Sequence, residues 1–390
     1  MAINRIVKKN EITELTDIVI ERIKRDGPIS FHDHMEMTLG NSARVSEGLA
    51  EAASGNNYTH CNLTSLFGGM VGRQLEEMWL MMGERPFTIA VYGAGSLSLD
   101  ILEYLKNNTK LYARLNFCII GTTNVPEEVL NAHDVVSIYH TIGEIPLEVN
   151  CVLSDGMLEH LPMHQVVMAD ELMEVYLDYK GNRVTEVLKP AHTSLRQYLK
   201  EQNIVLEPGS RTEINLNAAS WIGEVAKKVK EGYVMTIDYD YPSLELYSEH
   251  RNRGAVVSYN KHRVNDLLYT EAPRQENTAH VNLAAIHHWG TKNGLDIAGY
   301  TNKAHLLLSL GLKEQLVAHL QQYHEDIYLA YKKNNIVLHK LLKEIGNKFK
   351  VLIQHKGLPE LQLTGLKMAM PHAATALALP ARVNTGFQIA

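Results

Sequence analysis

Apolar runs alternate with amphipathic stretches between residues 87 and 240, and this alternation decides the predicted fold. Five of these runs show no apolar–polar alternation, so we interpret them as strands that are buried on both faces. They are Thr88–Tyr92, Leu115–Ile120, Val135–Tyr139, Val149–Leu153 and Tyr233–Ile237. Helices are predicted between them, at Ser96–Lys106, from Pro126 onward, and at Ile214–Lys230, where Gly232 would end the helix. Strands and helices in this order predict a doubly wound, parallel α/β sheet.

The same pattern divides the chain into four regions. They are an N-terminal helical and lid segment at 1–85, an α/β core at 86–240 plus 346–357, a mainly helical substrate-side segment at 241–345, and a tail at 358–390. An insertion at about 165–212 interrupts the core, with hairpin strands predicted at Val166–Met168 and Glu174–Tyr179 around Gly181–Asn182. Other predicted helices are Glu11–Lys24, Phe31–Leu39, Leu63–Met82, Val281–Asn293, Thr301–Leu310 and Leu312–Ile345, with a last strand at Phe349–Gln354. The alanine-rich tail could pack on the core, cover a pocket or mediate a homodimer.

Composition excludes several classes of protein. The 390 residues carry a net charge of −6, which does not suggest the basic surface that nucleic-acid binding requires. No apolar run approaches the roughly 20 residues that span a bilayer, so we expect no membrane segment. Acidic residues near the N-terminus argue against a transit peptide, which favours a cytoplasmic protein. Cys61, Cys118 and Cys151 have no metal-type spacing and are expected to be free thiols.

A glycine turn joins the first predicted strand to its helix, as Tyr92-Gly93-Ala94-Gly95-Ser96. Glycine lets the backbone turn sharply and approach a ligand, and the following helix start offers free N–H groups. Gly93 and Gly95 are therefore candidate cofactor-binding residues. A tight turn without a ligand remains an alternative.

Acidic residues follow two other strands at the same predicted edge of the sheet. Asp155 ends the fourth strand, where open α/β sheets bind their ligands. It could hold an amino group of a cofactor or substrate, or it could only cap a helix. Asp238 and Asp240 lie two residues apart on the fifth strand, so their side chains point the same way. They could bind a cation or accept a proton, or they could cap a turn.

Polar residues of the substrate-side segment complete the candidate site. His280 opens a predicted helix, where the helix dipole lowers the pKa of an imidazole and favours a neutral general base. Asn282 and Arg253 are candidate substrate ligands, although a histidine at a helix start is more often structural. The histidine pairs at 32 and 34 and at 287 and 288 match no zinc motif, so we predict no metal site.

The joint order of several short motifs resembles the MidA family of methyltransferases, which includes a mitochondrial protein-arginine methyltransferase. The resemblance runs from about Arg25 to Gly357. Its stretches are Gly27–Phe31 with Met35-Glu36, Ser65–Gly68, Gly93–Gly95 with Asp100, Leu161-Pro162, Arg211–Asn215 with Ala219 and Trp221, Thr236–Tyr239, Arg253-Gly254 with His262, Thr278–Asn282, Leu306–Leu312 and Phe349–Leu352. The resemblance implies a class I methyltransferase (Rossmann-like) fold with S-adenosylmethionine as cofactor. The expected substrate is a nitrogen or oxygen nucleophile of a protein, peptide or small metabolite.

On this resemblance, Gly93, Gly95 and Asp155 would bind the cofactor. Asp238 and His280 would be catalytic, and Asp240, Asn282 and Arg253 would bind the substrate.

The cofactor half of the sequence departs from the family pattern. The glycine loop looks shorter by two residues, and Gly121 stands where the family carries an acid that binds the ribose hydroxyls. Losing that acid would cost about 1–3 kcal/mol of binding energy, because a charged acceptor is removed. Two alternatives follow: a degenerate binding or assembly module, or a specialised-metabolite enzyme that uses the same pocket for another reaction.

Overall fold

The computed structural model of the chain describes residues 17–37, 58–92, 96–121, 130, 132–240, 246–247, 257–260, 263–265, 276–278, 281–315, 342, 346–359, 362–368 and 376–379. The strands are β1 Ile29–Ser30, β2 Phe87–Tyr92, β3 Leu115–Ile120, β4 Val136–Tyr139, β5 Val149–Asp155, β6 His164–Met168, β7 Leu172–Lys180, β8 Arg183–Pro190, β9 Arg211–Ile214, β10 Val229–Tyr239, β11 Val257–Asn260, β12 Arg263–Asn265, β13 Glu276–Thr278, β14 Asp296–Asn302 and β15 Phe349–Lys356. The α-helices are α1 at 17–26, α2 at 31–37, α3 Tyr58–Met81, α4 Ser96–Leu105, α5 Thr109–Tyr112, α6 Thr193–Glu201, α7 Leu216–Lys228, α8 Leu283–Lys292 and α9 Lys303–Ser309. Short 3-10 helices are at Ile142–Glu144, Leu158–His160 and Thr364–Leu366.

A seven-stranded sheet forms the centre of the molecule, in the order β14-β15-β10-β5-β2-β3-β4. The strands from β10 to β4 are parallel to their neighbours, as the sequence predicts. β15 runs antiparallel to both β10 and β14, between which it lies. The predicted doubly wound α/β sheet is therefore confirmed, with one reversed strand near its edge.

Helices cover both faces of this sheet, because each buried strand is apolar on both sides. On one face Ile89 and Val91 of β2 pack in the core that contains the α3 side chain Trp79. On the other face Ala90 packs in the core that contains Trp221 of α7. Both cores consist of side chains with little or no exposed surface, so the sheet is a rigid base for residues at its ends.

Glycines let α3 lie unusually close to α4, the helix that follows the glycine turn. A Cβ atom added at Gly68 would lie 2.3 Å from the Cβ of Asp100, and one at Gly72 would lie 2.8 Å from the ring of Tyr104. Real Cβ atoms do not approach so closely, so only glycine permits this packing. The contact fixes α4 against the N-terminal helical segment.

The insertion forms most of a second sheet, which β1 joins. In this sheet β7 pairs with β8 along one side and with β1 and β6 along the other, and β6 pairs in turn with β9. Gly181 and Asn182 have φ values of 58° and 59°, and they join β7 to β8 in a two-residue hairpin. The predicted turn is therefore correct. The strand that this turn joins to β7 is β8, which was not predicted, whereas β6 pairs with the other side of β7.

Three differences from the predicted elements concern the region that carries the site. β10 begins at Val229, so Gly232 lies inside a strand and does not end a helix. β14 was not predicted, and the helix expected from Thr301 begins at Lys303, after Asn302 caps it. The small sheet β12-β11-β13 lies in a segment predicted to be mainly helical. The helix predicted from Pro126 and most of Leu312–Ile345 lie outside the described residues.

Two further expectations concern cysteines and the membrane. Cys118 and Cys151 are free thiols, and burial raises their pKa values to about 11 and about 12. Of the helices described here, none combines the length and apolar character needed to cross a bilayer.

Candidate active site

The carboxyl ends of the parallel strands bring several predicted site residues to one edge of the sheet. Tyr92 of β2 is in register with Ser154 of β5, which is in turn in register with Thr236 of β10. Asp155 follows Ser154 directly, and Asp238 lies two residues beyond Thr236. Of the other six predicted site residues, four lie outside the described part of the chain: Gly93, Gly95, Arg253 and His280.

Asp155 forms an ion pair with Lys303, the first residue of α9. Lys303 Nζ lies 3.4 Å from Asp155 Oδ1. It also lies 3.6 Å from the ring centre of Phe67 and 5.3 Å from that of Phe349. Only 11% of the Lys303 side chain is exposed, so the carboxylate and the two ring faces together stabilise a largely buried ammonium group. The sequence predicts Lys303 within a helix and indicates no role for it.

Asp238 is fully buried and directed toward the backbone. Its Oδ2 accepts the N–H of Leu158 at 2.9 Å, and its Oδ1 accepts the N–H of Tyr239 at 2.9 Å. Burial and then the charge of Glu159 raise the pKa of Asp238 well above its usual value. Because Leu158 begins the short 3-10 helix after Asp155, the Asp238 carboxyl group fixes the segment that leaves the sheet at Asp155.

Asp240 and Asn282 hold the start of α8. Asp240 Oδ1 accepts the N–H of Leu283 at 2.9 Å, and its Oδ2 accepts the hydroxyl of Tyr300 at 2.6 Å. Asn282 is the N-cap, and its Oδ1 accepts the N–H of Ala285 at 3.0 Å. For Asp240, the capping alternative given by the sequence thus describes a contact that the side chain makes.

A small cavity lies beside this helix start, with a volume of about 20 Å³, enough for roughly one water molecule. Asn282 donates to the hydroxyl of Tyr247 at 3.3 Å, and Tyr198 is hydrogen-bonded to Tyr247 in turn. Burial raises the pKa of both tyrosines, so their hydroxyls stay neutral. Glu213 lies on the same wall and accepts from Gln165 Nε2 at 3.0 Å. The family stretch from Arg211 to Asn215 could have indicated this residue.

The histidines near the N-terminus make side-chain contacts of their own. Burial lowers the pKa of His34 to about 4, so this imidazole is neutral at physiological pH. His32 stacks on His164 with ring centres 4.5 Å apart, and His164 Nδ1 lies 2.6 Å from Glu174. Within the described ranges, His32, Asp33 and Glu36 do place ligand atoms within 4.8 Å of one another, but both carboxylates are exposed.

The strand order, with the antiparallel β15 between β10 and β14, defines a class I methyltransferase fold. The profile of a family described as "Putative S-adenosyl-L-methionine-dependent methyltransferase" matches residues 70–301, more than half of the chain, and the chain belongs to this family. The expected MidA-like methyltransferase family is thus confirmed, and S-adenosylmethionine is its cofactor. A comparison with curated proteins gives no match.

Two solved structures from Burkholderia thailandensis share the fold. A native crystal structure of an uncharacterized protein is 22% identical, with a TM-score of 0.73, and the match covers 92% of this chain and 96% of that one. A member of the same superfamily bound to S-adenosyl-homocysteine is 21% identical, with a TM-score of 0.74 and the same coverage. The similarity extends over nearly the whole chain.

The carboxyl edge of the sheet fits this cofactor. Gly121, at the end of β3, has a φ of 78°, and among the described residues nothing lies within 4 Å of a Cβ atom added there. The described residues therefore leave space beside the end of β3. Asp155, at the end of β5, has the negative charge that suits an amino group. Gly121 itself offers no carboxylate to the ribose, so the departure from the family pattern persists in the structure.

Proposed function

We propose that this methyltransferase transfers its methyl group to a nitrogen nucleophile of a protein, peptide or small metabolite, with an oxygen nucleophile as the alternative. One observation supports nitrogen: the described site is rich in carboxyl groups. Asp155, Glu159 and Asp238 lie close to one another, and Glu213 and Asp240 lie near the start of α8. The negative charges of Asp155 and Glu159 would favour a cationic amine or guanidinium group, and His280 would accept the proton that it must lose.

The proposed roles follow from the contacts of each side chain. The bound cofactor supplies an electrophilic methyl group, and the protein mainly positions the nucleophile and excludes water. Asp155 would bind the cofactor, together with Gly93 and Gly95. We assign Asp238 a positioning role, because its carboxyl oxygens hold backbone N–H groups on either side of the site.

The substrate side is proposed to lie at the start of α8. Asp240 holds that start, and Asn282 lines the small cavity that Glu213 also lines. The cavity would have to widen to admit a side chain, since it holds about one water. His280 remains the proposed general base and Arg253 a proposed substrate ligand.

A transfer assay tests this proposal. The purified chain is incubated with S-adenosylmethionine labelled in the methyl group and with amine, guanidine, alcohol and carboxylate acceptors, both as peptides and as small molecules. We expect label in acid- and base-stable N-methyl groups. Asp155→Ala should lower transfer about tenfold or more when the cofactor is below saturation. Asp170→Ala, which removes an exposed acid between β6 and β7, is the matched control and should leave transfer intact. Base-labile label would indicate a carboxyl oxygen as the acceptor instead.

A second candidate function is a binding or assembly module on the same fold. Gly121, which stands in place of a ribose-binding acid, favours it. This alternative predicts no transfer to any acceptor and no binding of S-adenosyl-homocysteine at millimolar concentration.

A further inference from the structure

Lys303 is a largely buried cation at the proposed cofactor site. The proposed function gives it no part in binding the cofactor or the substrate. It is the first residue of α9, at the point where β14 reaches the carboxyl edge of the sheet. Asn302 caps this helix by accepting the N–H of His305 at 2.7 Å. The position of Lys303 is therefore fixed by both the strand before it and the helix that it begins.

Among the described residues, the surroundings of Lys303 stabilise its charge without using all three of its N–H donors. An ammonium group has three N–H donors. The distance of 3.4 Å to Asp155 Oδ1 is longer than the 2.7–2.9 Å of a strong charge-assisted bond. The rings of Phe67 and Phe349 attract the charge but accept no ordinary hydrogen bond. Lys303 can thus receive an anion without leaving its position.

The Asp155–Lys303 pair is matched to a zwitterion. The pair carries one negative and one positive charge, and the methionyl end of S-adenosylmethionine carries an α-ammonium and an α-carboxylate on one carbon. Binding this end adds no net charge to a poorly hydrated site, which avoids the cost of burying an uncompensated ion. A lone Asp155 would match only half of this group.

We propose that Lys303 binds the α-carboxylate of the cofactor while Asp155 binds its α-ammonium group. This inference rests on the proposed function, because it assumes that the cofactor binds at this edge. It assigns a cofactor-binding role to a residue that belongs to none of the motifs quoted for the family.

Calorimetry with three ligands tests the assignment. They are S-adenosyl-homocysteine, its decarboxylated form S-adenosyl-3-thiopropylamine, and 5′-methylthioadenosine, which lacks the whole amino-acid end. In Lys303→Met the long apolar side chain still fits between the two rings. We expect this variant to lose about tenfold in affinity for S-adenosyl-homocysteine, and to bind the other two within about twofold of wild type. Lys303→Arg, which keeps the charge, should retain most of the affinity.

The outcomes separate this inference from the proposed function. Equal affinity of wild type and Lys303→Met for S-adenosyl-homocysteine overturns it. So does an equal loss for all three ligands, which would mean that Lys303 only supports the fold. If Lys303→Met does not fold, the wild-type preference decides: S-adenosyl-homocysteine must bind at least about tenfold more tightly than its decarboxylated form. Wild type that binds none of the ligands contradicts the proposed function itself.

Discussion

Replacing Asp238 with asparagine separates a positioning role from a role in proton transfer. The carboxyl group is fully buried and accepts two backbone N–H groups, each at 2.9 Å. Asparagine keeps the shape and one acceptor oxygen, but its NH₂ group must face the second N–H. One unsatisfied buried N–H should lower the free energy of unfolding by about 1–3 kcal/mol. Asp238→Ala removes both acceptors and should cost about 2–5 kcal/mol.

The pH dependence of this difference has a definite sign. Burial raises the pKa of Asp238 in the folded protein, so the folded state holds the proton more tightly than the unfolded chain does. Wild-type stability therefore falls as pH rises from the unfolded pKa, about 3.9, toward the folded pKa. Asparagine does not titrate, so the stability difference between wild type and Asp238→Asn should be largest in acid and smaller near neutrality. Urea denaturation at several pH values measures it.

The transfer rate of Asp238→Asn decides between the two roles. For a positioning residue we expect kcat to stay within about tenfold of wild type once the variant is folded, because Leu158 is still held. A general base would lose about 100-fold or more. A folded Asp238→Asn protein with so large a loss in kcat, and with unchanged binding of S-adenosyl-homocysteine, would refute the positioning role.

Three further changes test the scaffold around the site. Gly232→Ala should destabilise the protein by about 3 kcal/mol or more, measured by chemical denaturation, because the new Cβ would lie 2.0 Å from the backbone oxygen of Asn150 at a φ of 155°; an unchanged midpoint would contradict this. Burial raises the pKa of Asp100 to about 6, so wild-type stability should fall as the pH rises from about 4 to about 6. Asp100→Asn should therefore melt at a higher temperature than wild type only above that pH range. Melting temperatures of the two proteins that change in parallel with pH would contradict this. Tyr300→Phe removes the 2.6 Å hydrogen bond to Asp240 and should cost about 1–3 kcal/mol in the same denaturation assay, whereas no loss would show that this bond contributes nothing net.

The parallel half of the sheet was predictable because its strands are apolar on both faces. β3 has the predicted bounds, Leu115–Ile120, since every position along it is buried or nearly so. β14 was missed because it begins with exposed positions and contains a glycine, so its apolar signal is weak. Gly232 was misinterpreted for a different reason: a glycine can mark a helix end or a close approach of two strands, and only the neighbouring strand distinguishes them.

The candidate site was predictable only in part: the acidic residues could be placed, but their partners could not. Asp155 and Asp238 could be placed at the carboxyl edge because each one ends, or nearly ends, a buried strand. Their partners could not, because Lys303 is 148 residues from Asp155 and Leu158 is 80 residues from Asp238. Short sequence patterns do not predict contacts between residues so far apart in the chain. The roles of these residues therefore depend on the tertiary structure, which turns Asp238 toward the backbone and brings an unpredicted lysine to Asp155.

Calorimetric titration of S-adenosyl-homocysteine into the purified chain tests the cofactor site most directly. We expect micromolar binding to wild type, retained in the control Asp170→Ala and weakened about tenfold or more in Asp155→Ala, since a charged partner of the α-ammonium group is lost. Equal binding by Asp155→Ala and wild type would mean that the cofactor does not bind at the end of β5. Failure of the wild-type chain to bind at millimolar concentration would contradict a working cofactor site at the carboxyl edge of this sheet.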